Sequence, residues 1–362
     1  MTDALVLGGG PAGAAAAITL ARGGARVMLV EREAAPREKV CGEFLGPDAA
    51  DLLDGLGLSL PALGVLPIEA GRLAAGRQDA HWPLPFAAWS LPRAVLDEAL
   101  LATAASAGAQ LLRGRAVMAA ARKGHHWSAR LSDNSELDAP ALVLATGKHE
   151  LRGHSRRARG EAVGLKLPLR LRDPLDRAVL LLPFPGGYAG LQPRPDGGAN
   201  LCAALGEAGP EARNPAALLA RVAAGSALAA ALLRDAKPLL PRPMAVAGLP
   251  YGFRHRDGKG ADPGLYRVGD QFAVVPSLAG DGVAMALVGG IAAAQAILAG
   301  RPAPDFHATL NRRLDRPMRW AGLLARLLGA APVPLALAAR TFPTAARLAA
   351  ARTRLPAASM RG

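Results

Sequence analysis

The chain has 362 residues, enough for one large or two interleaved domains around a sizeable core. Apolar residues make up 51% and charged ones 20%, which excludes fibrous and disordered classes, while only 4% aromatics means that Leu, Val and Ala must fill the core. The formal charge of +14 is uneven: residues 312–362 hold ten Arg and one Asp, a net of +9 that leaves +5 for the first 311, so the basic feature is a tail.

In chain order, residues 3–7 read as a strand, the Ala-rich stretch to 21 as a helix, and residues 26–30 as a second strand closing on Glu31. Helix 92–107 follows, with Pro near its start and Gly108 at its end. Strands are expected around 111–119, 127–131 and 141–145, with a turn at 132–134. From 161 to 205 short apolar runs broken by Pro and Gly predict an inserted antiparallel sheet. A helix over 214–233, a strand over 265–268 and a long apolar helix over 282–298 return the chain to α/β. Residues 313–354 mix Leu/Ala runs with spaced Arg and predict two or three short amphipathic helices, fit for an anionic membrane surface or a lipid-like substrate mouth. The Arg lack interleaved aromatics, so nucleic acid is not expected. Two cysteines, Cys41 and Cys202, form no framework, and no apolar run is long enough to span a bilayer. A cytoplasmic chain, peripheral on the membrane's inner face at most, is the expectation.

Gly8-x-Gly10-x-x-Gly13 lies between a strand and a helix. Gly8 permits a tight turn, Gly10 lets a pyrophosphate approach the backbone, Ala12 lies at the helix start, and Gly13 with Ala17 allows close helix–sheet packing. Glu31 stands at the end of the second strand, placed to bond a ribose 2′-OH. The pattern specifies dinucleotide binding and leaves NAD or FAD open.

Gly269-Asp270, Pro276 and then Gly280-Asp281-Gly282-Val283 opening a helix decide between them. Here the sequence resembles the FAD-dependent oxidoreductases of the p-hydroxybenzoate hydroxylase fold, in their geranylgeranyl reductase-like branch, over roughly residues 3–300. The resemblance implies a Rossmann-like FAD-binding domain of α/β class, a parallel sheet formed by residues 1–75, 92–160 and 262–300. It implies an antiparallel β substrate domain over 76–91 and 161–261, followed by a basic helical segment over 301–362. It assigns Asp270 to the ribityl chain and Gly280, Gly282 and Val283 to the flavin pyrimidine edge. Cys41, Gly42 and Phe44 would lie beside the isoalloxazine, Arg93 would contact the cofactor, and Val117 and Gly147 would meet the adenine side.

The pattern also departs from its relatives. Thr146-Gly147-Lys148-His149 replaces the Asp-Gly motif of the aromatic hydroxylases, and the halogenase Trp-x-Trp-x-Ile-Pro motif has no match. Of the reductases' Tyr-x-Trp-x-Phe-Pro, Leu180-x-Leu182-x-Phe184-Pro185 keeps only the end. An apolar, isoprenoid- or polyketide-like substrate is expected under the loop Phe184, Pro185, Gly186, Gly187 and Tyr188, with Tyr188 the candidate proton donor. Hydride would pass to or from flavin N5. NAD(P)H or a redox protein would supply electrons, and the basic stretch 148–173, which nets +5 from eight Lys/Arg and three acids, is a candidate docking surface for either. An aromatic monooxygenase and a non-catalytic, membrane-associated nucleotide-binding protein are the alternatives.

Overall fold

The structure, a computed structural model, describes residues 2–156, 160–207 and 209–355. A five-stranded sheet runs in the order Leu265–Arg267, Ala141–Leu144, Ala4–Leu7, Val27–Glu31 and Gln110–Arg113, every neighbouring pair parallel. Ala4–Leu7 is fully buried, as a strand covered on both faces must be. Ala4 and Val6 face the helices Pro11–Arg22 and Gly282–Leu298, while Leu5 and Leu7 face a three-stranded antiparallel sheet made of Val117–Lys123, His126–Leu131 and Glu136–Ala139. The two helices touch at backbone range: a Cβ on Gly290 would stand 2.1 Å from the Ala12 carbonyl oxygen, so only glycine fits.

A nine-stranded sheet forms the second layer. Along its path lie Lys237–Pro238, Ala162–Arg170, Ala199–Leu205, Gly187–Pro193, Ala178–Phe184, Leu66–Ala75, Gln78–Ser90 and Phe44–Leu45, with Met244–Leu249 also paired to Ala162–Arg170. All joints are antiparallel except that between Ala178–Phe184 and Leu66–Ala75. This moves the expected boundary at residue 76, because Leu66–Ala75 is the hairpin partner of Gln78–Ser90 and cannot be parted from it. One face of this sheet buries Leu165, Leu167, Leu180, Leu182 and Leu191 beneath Pro215–Ala223 and Ala227–Leu233. The single helix expected over 214–233 is thus two. They part at Gly225, where a Cβ would stand 2.2 Å from the Pro183 carbonyl oxygen, and Ser226 caps the second by accepting from the Ala229 amide at 3.1 Å.

The tail forms Ala303–Ala330, Pro332–Thr341 and Pro343–Arg352, the last two each opening on a proline at the first helical position. Leu328 and Ala336 bury against Leu73, Ala75, Ala80 and Trp82 of the large sheet. Among the described residues no single helix is long and apolar enough to cross a membrane. Residues 356–362 of the basic tail, and Arg157 and Arg159 of the stretch 148–173, lie outside the described residues.

Candidate active site

One cavity of about 830 Å³ runs from the glycine-rich turn, between the two sheets, to the tail helices. Its first part is made of backbone. Gly8 has φ +111°, and a Cβ there would stand 2.4 Å from the Ala145 carbonyl oxygen; one on Gly13 would stand 1.9 Å from the Gly8 carbonyl oxygen. Above Gly10 the nearest atom to such a Cβ is Arg93 Nη2 at 3.7 Å, so that backbone is open to a ligand. Neither Pro11–Arg22 nor Gly282–Leu298 has a side-chain cap at its start, and the first residues of both helices line the cavity. Two uncapped helix N-termini aimed into one cavity make an anion-attracting cradle.

Glu31 does more than wait for a ribose. Its Oε2 accepts the Gly9 amide at 2.7 Å and its Oε1 the Glu33 amide at 3.0 Å, so the buried carboxylate also fixes the turn. Arg93 forks onto Asp97 with two bonds of 2.9 Å, and the Cys41 sulfur accepts the Glu43 amide at 3.4 Å. Asn200 Nδ2 donates to the carbonyls of Cys41 at 3.0 Å and Gly42 at 3.1 Å, clamping that loop. Beside it Glu43, at φ +65°, accepts from the Arg93 amide at 3.1 Å and from Lys166 Nζ. Lys166 is 0% exposed and also reaches Glu38, which Arg194 holds at 3.0 Å. Burial pushes the Glu43 carboxyl up against the pull of Lys166. A lysine inside the otherwise apolar strand Ala162–Arg170 is the sequence signal for this network.

The second part of the cavity is made of side chains. Leu73, Trp82, Phe86 and Leu181 line it from the sheet, and Leu328, Leu335 and Phe342 from the tail. Of the five residues expected over the substrate, only Tyr188 lines the cavity. Phe184 is buried in the opposite core, under Arg221, whose guanidinium lies 5.8 Å from its ring centroid and bonds the Pro185 carbonyl. Pro185 and Gly186 form the adjoining hairpin turn, and Gly187 pairs with Phe184 at its foot. The reason is the two-residue strand period: Leu180, Leu182 and Phe184 share the outer face, and Val179 and Leu181 the cavity face. Tyr188 Oη stands 2.7 Å from Ser277 Oγ and accepts the Leu278 amide at 3.1 Å, and Tyr251 donates to Ser277 at 3.4 Å.

The chain's end closes the far side of the cradle. Arg354 stacks on Phe44 and Phe86, with its carbon 5.6 Å and 5.1 Å from their centroids, and sets Nη1 2.7 Å from Oδ1 of fully buried Asp281. Burial outweighs that contact and pushes the Asp281 carboxyl up to about 7. A cluster of His255, Asp257 and His307 has the composition of a metal site but not its bonding. His307 Nε2 accepts the Arg267 amide at 2.9 Å, so Nδ1 carries the proton and donates to Asp257 at 2.9 Å, which leaves no lone pair for a metal.

The FAD binding domain family matches residues 1–160. Menaquinone reductase of Mycobacterium tuberculosis is 30% identical over 359 residues, covering 90% of this chain and 84% of that protein. The chain belongs to the FAD-dependent oxidoreductases. Similar solved structures include the flavin-dependent brominase Bmp2, with a TM-score of 0.80 at 18% identity over 98% of this chain and 94% of that one. A geranylgeranyl bacteriochlorophyll reductase-like protein of Thermoplasma acidophilum gives 0.76 at 19%, covering 99% and 94%. At those identities the likeness is one of fold.

FAD is the cofactor of this oxidoreductase, and the cradle fits it. Gly8, Gly10, Ala12, Glu31, Cys41, Gly42, Phe44, Arg93, Val117, Gly147, Asp270, Gly280, Gly282 and Val283 all line the one cavity. Gly13 lies behind it, acting through helix packing. Lys148, expected on a basic docking surface, instead turns inward to the Val40 carbonyl at 3.0 Å and to Asp270 at 3.9 Å. Arg156 likewise bonds Glu150 and the Asp270 carbonyl, so the stretch 148–173 is not one solvated patch.

Proposed function

We propose that this oxidoreductase is a reductase that delivers a hydride to an activated double bond of a long apolar molecule of the isoprenoid-quinone class. The observation that carries the reading is the second part of the cavity: beyond the cradle it continues as an apolar chamber between Trp82, Leu181, Leu335 and Phe342. The name of the mycobacterial relative and the reductase among the structural neighbours support the same class. When bound, FAD supplies the two-electron carrier, and its reduced form gathers negative charge at the pyrimidine edge. The uncapped start of Gly282–Leu298 stabilises that charge, and the chamber walls exclude water from the transfer. With one dinucleotide fingerprint in the chain, NAD(P)H or a redox protein reloads the cofactor transiently.

The tail supports a seat on the lipid surface that holds such substrates. Leu323, Leu327, Val333, Leu337 and Leu348 are large apolar side chains left exposed on the helices that carry Arg326, Arg340 and Arg347.

The test is anaerobic. Holoenzyme reduced with dithionite is mixed with 2-methyl-1,4-naphthoquinone bearing a prenyl chain, and with the same ring lacking it. The expected result is reoxidation of the flavin with a product two hydrogens heavier, faster for the prenylated compound. No reoxidation by either, or substrate-stimulated oxygen consumption with an oxygenated product, overturns the reading.

A further inference from the structure

Reducing a conjugated double bond moves an electron pair onto the substrate's carbonyl oxygen, and a buried chamber must supply a proton there. Three hydroxyls converge where the chamber meets the cradle, on residues far apart in the chain. Tyr188 comes from Gly187–Pro193, Ser277 from the turn just before Gly280, and Tyr251 from the segment after Met244–Leu249. All three line the cavity.

Two of the hydrogen bonds here have a direction. The Leu278 amide donates to Tyr188 Oη at 3.1 Å, and Tyr251 donates to Ser277 Oγ at 3.4 Å. Either hydroxyl of the Ser277–Tyr188 pair, 2.7 Å apart, can be the donor, and in the arrangement the reaction needs Ser277 accepts from Tyr251 and donates its own proton to Tyr188. Tyr188 then accepts twice and keeps its own O–H for the cavity. Burial pushes the Tyr188 phenol up to about 12 and the Tyr251 phenol upward as well, so both are protonated at neutral pH. Ser277 and the Leu278 amide, the two donors to Tyr188, are what stabilises its oxygen once the proton has left.

We propose that Tyr251, Ser277 and Tyr188 form a hydroxyl relay ending on Tyr188, which gives its proton to the carbonyl oxygen of the substrate as hydride reaches the conjugated carbon. This rests on the reductase reading above. A C–H bond forms at that carbon with the electron pair carried by reduced FAD. The π electrons shift to the carbonyl oxygen, and an O–H bond forms there as the Tyr188 O–H breaks. Ser277 reprotonates Tyr188, Tyr251 reprotonates Ser277, and solvent reprotonates Tyr251. The substrate gains two electrons and two protons' worth of hydrogen as one hydride and one proton, and FAD is left oxidised for the donor to reload. Tyr188 is the catalytic residue; Ser277 and Tyr251 are positioning residues.

The experiment uses the dithionite-reduced holoenzyme and the prenylated naphthoquinone, followed by stopped flow in H₂O and D₂O, with the Kd of the quinone for oxidised holoenzyme measured in parallel. Tyr188→Phe should slow flavin reoxidation on the order of 100-fold and leave the Kd within about 3-fold. Ser277→Ala should cost about 10-fold and Ser277→Thr, which keeps the hydroxyl, should restore most of it. The wild-type solvent isotope effect should vanish in Tyr188→Phe. If wild type reacts and Tyr188→Phe reacts equally fast, or Ser277→Thr is no better than Ser277→Ala, the relay is overturned while the reductase reading stands. A wild type that is not reoxidised overturns that reading, and with it the acceptor the relay requires.

Discussion

The cradle and the chamber are two ends of one cavity built by opposite means. The cradle is backbone: Gly8, Gly10 and Gly13 lie within six residues, and at Gly8 and Gly13 a carbonyl oxygen stands 2.4 Å and 1.9 Å from where a Cβ would be. The chamber is side chains, brought to one face from strands and helices more than two hundred residues apart. A backbone site admits almost no substitution, whereas a side-chain wall can be trimmed without losing its shape.

Breaking the cradle should therefore have the largest effect. Gly13→Val forces a methyl group into the Gly8 carbonyl and should abolish flavin retention and cost beyond about 4 kcal/mol, read from the ratio of flavin to protein absorbance and from urea unfolding. Phe342→Ala, in the chamber, should keep full flavin occupancy. If both variants lost flavin alike, the two ends would not differ as argued.

The clamp between the ends comes next. Lys166→Met leaves Glu43 buried beside Glu38 with Arg194 as the remaining cation, and should destabilise by about 3–5 kcal/mol in urea.

Two buried groups then oppose each other in pH. Asp281, raised to about 7, favours the fold at low pH and loses that contribution as pH rises from about 4 to 7. His307, lowered to about 4 by burial, favours the fold above about 6.5 and loses its contribution as pH falls toward 4. The two slopes nearly cancel in wild type. Asp281→Asn removes one, so acid should then destabilise the variant by on the order of 3 kcal/mol more than it does wild type. Melting curves from pH 4.5 to 7.5 check this, and parallel curves would show that Asp281 does not carry the shift.

Asp270→Ala should weaken FAD binding by about 1–3 kcal/mol, measured by fluorescence titration of the apoprotein. The smallest effect belongs to the tail. Each exposed Arg near an anionic bilayer contributes about 1 kcal/mol, fading within a Debye length of about 8 Å. Sedimentation with anionic vesicles should fall with salt, and Arg340→Glu with Arg347→Glu should lower it further. Equal recovery in the supernatant with anionic and neutral vesicles would leave the tail as a wall of the chamber alone.

The nucleotide fold was legible because its signal is local. A turn, a helix start and a strand end within the first 31 residues impose spacing that no distant contact has to complete, and Gly280 to Val283 repeats the device at the other end of the chain. The chamber was not legible, because which face of a strand looks inward depends on what packs against the other face. Phe184 and Tyr188 lie four residues apart, yet the hairpin turn between them sends one into the outer core and the other into the cavity. Nor could spacing show that Lys166 meets Glu43, that Ser277 joins two tyrosines, or that Arg354 returns to Asp281 from the chain's far end. The sequence by itself determined the cofactor cradle, since backbone sterics act over a few residues. Tertiary structure alone decided the chamber and its polar groups, since burial and pairing are properties of surfaces that exist only after the sheets have closed on each other.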